Sequence, residues 1–485
     1  MLFSDHPTGR RFRPSGRRAF LGALGGGLGA LGLDVAVAAE ATRSGHAPRG
    51  ALAPRPPMFP ARATAVIQIF CPGGMSHVDT FDYKPELARR AGMPFDPDGK
   101  LEFFASRPGE CMPSAWPFRQ HGECGRWVSD LFPGLAKHVD SIAFLHSMHA
   151  KSALHGPAMF MANSGFILPG FPSFGAWATY GLGSEAENLP AFVVLPDPRG
   201  LPPGGTVNWG AGFLPAVHQG TVLRTAANVP PIADLFPPAE RADVRAGESA
   251  GLGFLGAINR RHRDARGGDA DLDARIEAFE LAARLQLSAP EVGDLSGESA
   301  LTLARYRLDD PDLSPFGRQC LLARRLVERG TRFVQLYHTN WDSHGGPGEN
   351  LQSDFEKRCR EVDQGQAALV QDLKQRGLLK DTLVIWGGEF GRTPMGENRD
   401  TTGRNHHIDA FTMWFAGGGT KPGITVGETD ELGFNSVANR AHVHDIHATM
   451  LHLLGIDHTK LTFRFQGRDF RLTDVHGTLV KPMLA

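Results

Sequence analysis

Six short apolar runs punctuate the chain: Thr64–Phe70 (TAVIQIF), Ser141–Leu145, Ala191–Leu195, Arg332–Tyr337, Thr382–Trp386 and Phe411–Ala416. They are rich in β-branched and aromatic residues and lack the polar alternation of a half-exposed strand, so each predicts a strand buried on both faces. Helical periodicity falls between several of them. Gln319–Glu328 and Phe355–Arg376 lead into the strands that follow, and Ile276, Phe279, Ala283 and Leu287 mark one face of another helix. His442–Leu454 closes on Gly455, a residue suited to the end of a helix. Strands alternating with helices predict an α/β fold with a mainly parallel central sheet and helices on both faces. Residues 238–300 are more charged and carry no strand run, so they are expected to form a helical insertion and not a separate catalytic domain. No internal repeat or heptad run is present.

Composition narrows this picture. The 485 residues are 41% hydrophobic and 21% charged, which excludes a disordered chain. Lys and Arg number 51 against 52 Asp and Glu, so the clustered basic surface that binds nucleic acid is not expected. The start of the chain reads differently. Arg10, Arg11, Arg13, Arg17 and Arg18 precede the uncharged AFLGALGGGLGALGL, which falls short of the roughly 20 residues needed to span a bilayer. Ala36-Val37-Ala38 then supplies a small-x-small cleavage pattern. Residues 1–38 are therefore expected to be a signal peptide. Gly16-Arg17-Arg18-Ala19-Phe20-Leu21 resembles the twin-arginine signal, which implies the twin-arginine export machinery as a partner and a periplasmic or secreted destination, without a stable membrane span. Residues 39–62, rich in Ala, Pro and Arg, are expected to be a tether to a single domain over 63–485. Of five cysteines, Cys111 and Cys124 are the expected disulfide pair in an oxidising compartment, while Cys320 and Cys359 fall in helical segments as buried thiols.

The histidines carry the chemistry. After TAVIQIF comes CPGGMSHVDTFD, with His77, Asp79 and Asp82. After RFVQLY comes HTNWDSHGGPGEN, with His338, Asp342 and His344. After TLVIW comes GGEFGRTP, with Glu389 and Arg392, and just before FTMWFA comes GRNHHID, with His406, His407 and Asp409. After SIAFL comes HSMHAKSALHGP, with His146, His149, Lys151 and His155. Ligands of open α/β sheets sit beyond the carboxyl ends of the strands, so these five loops are expected to meet at one edge. Imidazole and carboxylate without thiolate suit zinc, manganese or iron, and calcium where oxygen dominates. One or two divalent ions are expected. The sequence contains no G-x-S-x-G, no G-x-x-x-x-G-K-[ST], no H-E-x-x-H, and no G-x-G-x-x-G after Gly417-Gly418-Gly419, which leaves a triad hydrolase, a P-loop enzyme, a zincin and a dinucleotide enzyme unsupported.

Together GGMSHVDTFDYKPEL, FGRQCLLARRLVERGTRFVQLYHTNWDSH, TLVIWGGEFGRTP, GRNHHIDAFTMWFAGGGTKPGITVGETDE and HDIHATMLHLLGI resemble the DUF1501 family, secreted proteins related to sulfatases in the alkaline-phosphatase-like superfamily. The resemblance implies an alkaline-phosphatase/sulfatase-like three-layer sandwich with a two-metal site. Asp342, His344 and either His406 or His407 would hold one ion. Glu389, Asp79 (with Asp82 as the alternative) and His155 would hold or border a second. Asp445 and His447, in the last stretch, would be mainly structural.

Two departures stand out. Cys71-Pro72-Gly73-Gly74 intervenes where the superfamily places a carboxylate directly after its first strand. His155-Gly156-Pro157-Ala158-Met159, followed by Asn163-Ser164-Gly165, stands where sulfatases carry C-x-P-S-R and L-T-G, so His155 occupies the nucleophile position and Met159 the arginine position. Formylglycine chemistry is excluded there. Phe390 also replaces the His or Asn usual after the second-site carboxylate. The implied function is an exported metal-dependent hydrolase of phosphate or sulfate esters, acting on a small-molecule or glycan ester. In it His155 is either a ligand beside a metal-activated water or a direct nucleophile. Arg392 or Lys151 would stabilise charge on the substrate. The alternative is a metal-bound, non-catalytic binding or scaffolding protein on the same fold. Arg126, Trp127, Trp209 and His218 lie in long Gly- and Pro-rich stretches that could line a pocket, where Trp beside Gly would suit a sugar ring, although packed aromatics are the commoner outcome.

Overall fold

A computed structural model describes residues 51–101, 108–226, 229–232, 242–265, 290–397 and 401–485, with isolated positions between 266 and 289. The expected signal peptide and the first part of the expected tether lie outside the described residues. β1 (Ala65–Phe70) is buried at every position because both of its faces are covered. Its side chains alternate, Ile67 and Ile69 entering one apolar core and Val66 and Phe70 the other. The strands joining it are β2 (Ile142–His149), β3 (Phe192–Leu195), β4 (Thr221–Val222), β5 (Phe333–Tyr337), β6 (Thr382–Gly387), β9 (Phe411–Ala416), β10 (Thr425–Val426) and β11 (Ala441–His442). Between β6 and β9, β7 (Gly391–Gly396) and β8 (Arg404–His407) form a separate antiparallel hairpin.

The sheet runs β10-β2-β9-β6-β1-β5-β3-β4, with β11 also on β2. β9 is antiparallel to β2 and β6, and the remaining pairs are parallel. One core packs α4 (Ser314–Glu328) and α5 (Glu356–Gln375) on the sheet through Cys320, Leu321, Leu326, Val362, Leu369 and Leu373. The other packs α1 (His155–Ser164), α2 (Phe174–Leu182) and α6 (Val443–Leu453) through Met159, Trp177, Ile446 and Met450. The protein is thus a three-layer α/β sandwich. α3 (Ala242–Ala265) lies in the stretch expected to be a helical insertion. There Ile276 is buried as expected, Phe279 is 71% exposed and Leu285 is buried, while Ala283 and Leu287 lie outside the described residues.

Three further expectations change. All five cysteines are free. Cys111 forms a backbone bridge with Met395 in the β7 hairpin, while Cys124 donates its N–H to Asp140, so the two belong to different substructures. Residues 51–62 are part of the folded unit and not a tether. The N–H groups of Met58 and Arg62 donate to the carbonyls of Gly455 and Leu453, filling acceptors that the end of α6 leaves open. β2 extends beyond Leu145 through His149 because β9 and β11 pair with it there, so His146 and His149 are strand residues and not loop residues. Among the described residues no helix is long and apolar enough to cross a membrane.

Candidate metal centre

Strand direction decides which chain segments meet. β1, β2, β5 and β6 run the same way, so the segments after them emerge at one edge. β9 runs the opposite way, so the segment before it, which contains β8, returns to that same edge. Asp342 follows β5, Glu389 follows β6, His406 lies on β8, and His155 opens α1 after β2. Close approach of the β1 loop makes the assembly tight. Gly73 adopts φ +126°, and a Cβ there would lie 2.4 Å from the backbone nitrogen of Asp342, so only glycine fits.

Three imidazoles surround the Asp342 carboxylate. His155 Nε2 lies 3.1 Å from Oδ2, and His344 Nε2 and His406 Nε2 lie 3.0 and 3.3 Å from Oδ1. The other nitrogen of each ring is held from outside. His155 Nδ1 is 2.7 Å from Glu389 Oε1, His344 Nδ1 is 2.7 Å from Glu397 Oε2, and His406 Nδ1 is 2.7 Å from the Ala153 carbonyl oxygen. Carboxylates and carbonyls accept, so each Nδ1 carries a hydrogen and each Nε2 of a neutral ring presents a lone pair. The Nε2 atoms of His344 and His406 stand 2.8 Å apart, and all three Nε2 atoms face the Asp342 carboxylate. Ring nitrogens meeting at one carboxylate in this way need positive charge between them, supplied either by protons on the rings or by a bound cation. Histidines whose outer nitrogen is tied to a carboxylate or carbonyl are the usual arrangement around a metal ion. The ligand atoms of His155, Asp342 and His406 all lie within 4.8 Å of one another. Glu389 Oε1 also accepts the Gly73 N–H at 2.9 Å, while its Oε2 is buried without a hydrogen-bond partner. The donor set therefore fits a divalent ion.

The electrostatics follow from these contacts. Burial works against charge on Asp342, but hydrogen bonds from His155, His344 and His406 and the Arg392 charge outweigh it and hold the carboxyl far below its usual range. Burial also works against a charged His155, yet Asp342 and Glu389 together push it up to about 9. His344 is raised in the same way by Asp342 and Glu397. His406 has only the Ala153 carbonyl on its outer side, so burial, with the charges of Arg392 and His155, holds it below the ordinary imidazole value. An incoming ion must displace the His155 proton. Apparent metal affinity is therefore expected to rise about tenfold per pH unit between pH 7 and about 9, because the protonated form dominates below that value. Competition titration against a chromophoric chelator checks this, and a flat profile would refute His155 as a ligand.

The remaining sequence-predicted residues lie elsewhere. Asp79, on a one-turn helix (His77–Thr80), is wholly buried. It accepts from Arg404 Nε at 2.7 Å and Nη2 at 3.1 Å and from the Ser76 hydroxyl. Asp82 pairs with Lys84 at 3.0 Å and accepts from Thr429. His407 points away to the Phe434 carbonyl, because neighbours on a strand face opposite ways. His338 contacts Glu361 and His146 contacts Thr412. Arg392 is fully buried and donates to Gly73, Gly74 and Arg404 carbonyls and to Asp342 Oδ1, so it positions Asp342 and does not present a free cation to a substrate. Lys151 is exposed, and its charge acts on His442 and His444. Asp445 caps α6, and His447 donates to the Ala162 carbonyl, both structural roles. Trp209 and His218 are buried, Trp127 packs on Tyr83, and Arg126 lies over Phe144, so these four do not line a common sugar pocket. Glu397 and Arg404 were not legible as site residues. Pairing GRTPMG with RNHH as a hairpin is the one signal that would have found them, since its register sets His406 opposite Arg392.

A family model described as "Protein of unknown function (DUF1501)" matches residues 63–484. No curated protein matches the sequence. Among solved structures, the chain is similar to the lipoteichoic acid synthase LtaP from Listeria monocytogenes, at 10% identity over 89% of this chain and 80% of that one, with a TM-score of 0.36. It is similar to the PsFucS1 sulfatase from Pseudoalteromonas sp. at 13% identity, covering 81% and 68%, with a TM-score of 0.36. It is also similar to the phosphonate monoester hydrolase SpPMH from Silicibacter pomeroyi at 12% identity, covering 67% and 68%, with a TM-score of 0.33.

Proposed function

This chain belongs to the DUF1501 family, and from the centre it carries we propose that it is an exported metal-dependent hydrolase of phosphate or sulfate esters that works without formylglycine. The observation behind this reading is the convergence of three imidazole Nε2 atoms on Asp342, each ring held from behind. His155, Asp342, His344 and His406 would hold the ion, which would act as a Lewis acid on an ester oxygen. The chain's own groups do the rest. Arg392 keeps Asp342 oriented, and Glu397 and the Ala153 carbonyl keep His344 and His406 oriented. Glu389 Oε1 holds the His155 Nδ1 proton, and Glu389 Oε2, buried and unpartnered, is available to take a proton from attacking water. Both His155 nitrogens are engaged by carboxylates, which favours orientation and ion binding over direct attack on the ester.

Folded export by the twin-arginine route suits a protein that loads an ion before leaving the cytoplasm, and the periplasm or exterior is its proposed destination. A second reading, a metal-bound scaffold, is favoured by one observation: Arg392 is committed inside the protein, so it offers no charge to a substrate. Metal-loaded protein assayed on aryl phosphate monoesters, aryl phosphate diesters and aryl sulfates separates the two. Turnover on any of these supports the hydrolase. A bound ion with no turnover on all three supports the scaffold.

A further inference from the structure

The surroundings of Arg392 set how many ions this centre takes. Its guanidinium donates to the Gly73, Gly74 and Arg404 carbonyl oxygens and to Asp342 Oδ1. A ring of carbonyl and carboxylate oxygens is what a hard divalent cation seeks, and here a side-chain cation fills it. Few donors remain for a second ion. Both Asp79 oxygens accept from Arg404, His407 Nε2 is on the Phe434 carbonyl, and Glu389 Oε1 is taken by His155 and Gly73. Phe390, which follows Glu389, offers no ligand, and its ring packs 5.1 Å from His155 and 4.5 Å from His406, centroid to centroid. Glu389 Oε2 is then the single unpartnered carboxylate oxygen among these groups, too few for a protein site that normally supplies three or more ligands.

Formal charge points the same way. The centre and its supports carry four carboxylates, Asp79, Asp342, Glu389 and Glu397, against two guanidiniums, Arg392 beside Asp342 and Arg404 beside Asp79. One divalent ion brings these described groups to neutrality, and a second would leave a buried excess of positive charge. We infer that the centre holds one divalent ion, with Arg392 as a built-in second cation, and that the ester it accepts is singly charged: a phosphate diester or a sulfate monoester. A neutral site gives no net Coulomb attraction to offset desolvation, and desolvation grows with the square of the charge, so a doubly charged phosphate monoester is disfavoured. This inference rests on the metal reading proposed above.

The test loads the full chain with manganese, measures metal content per chain, and records the electron paramagnetic resonance spectrum. One ion per chain with an uncoupled manganese signal is expected. Two ions with an exchange-coupled signal would overturn the inference while leaving the metal reading intact, whereas no bound ion would remove the metal reading itself. Arg392→Lys keeps the charge and is expected to hold one ion. Arg392→Gln is expected to admit a second, and a folded Gln variant still limited to one would remove Arg392 from the inference. On substrates sharing one aryl leaving group, the singly charged diester or sulfate is expected to exceed the doubly charged monoester in kcat/KM by about tenfold or more, and the reverse order would overturn the charge assignment.

Discussion

Replacing Asp342 by alanine is expected to empty the centre of its ion and to lower ion affinity by more than about a hundredfold. The carboxylate is the point on which His155, His344, His406 and Arg392 all converge, so its loss removes a ligand and also the group that aligns the others. The change also leaves the fully buried Arg392 without its anion, so the fold itself should weaken. Glu397→Gln provides the contrast. It keeps an acceptor oxygen beside His344 Nδ1 and should weaken ion binding by about tenfold to a hundredfold, the range for a group that supports a ligand. Elemental analysis and thermal unfolding of both variants check the pair. An Asp342→Ala protein that retains a full complement of metal would end the assignment of this centre.

The second large effect is one of stability. Asp79 and Arg404 are both 0% exposed and joined by two hydrogen bonds. Asp79→Ala strands a guanidinium in the core and is expected to destabilise the protein by roughly 3–5 kcal/mol, the typical outcome of removing one partner of a buried ion pair. Removing both partners, as Asp79→Ala with Arg404→Met, should recover part of that loss. Recovery would be partial because Arg404 also donates to the Met112 carbonyl at 2.8 Å and the Thr393 carbonyl at 3.2 Å. Denaturant unfolding measures the cycle. Folded Asp79→Ala protein is expected to keep its ion. The opposite pattern, an unchanged midpoint with the ion lost, would restore Asp79 to the ligand set that its place after β1 suggested.

The contrast between Asp342 and Asp79 shows how far a sequence can be read. Both follow apolar strands, both sit among histidines and glycines, and nothing local distinguishes them. One faces three imidazoles, and the other meets an arginine from a hairpin more than three hundred residues later. The same holds for His406 and His407. They are adjacent in sequence, and the register of β8 against β7, with His406 opposite Arg392, turns the first toward Asp342 and the second toward Phe434. The sequence presents Arg392 as a cation for the substrate, because its position after Glu389 is visible there. Its burial, which makes it a support for Asp342, is not.

By itself, the sequence determined six of the nine strands of the central sheet, the α/β class, the family resemblance and the segments that supply the chemistry. A strand covered on both faces must be apolar at nearly every position, and that requirement is written locally in TAVIQIF, RFVQLY, TLVIW and FTMWFA. Only the tertiary structure decided which acids and imidazoles form the centre, which are neutralised by buried arginines, and how much room is left for ions. Those outcomes depend on strand direction, on hairpin register and on partners distant along the chain, and the charge state of a buried group is set by the groups it touches.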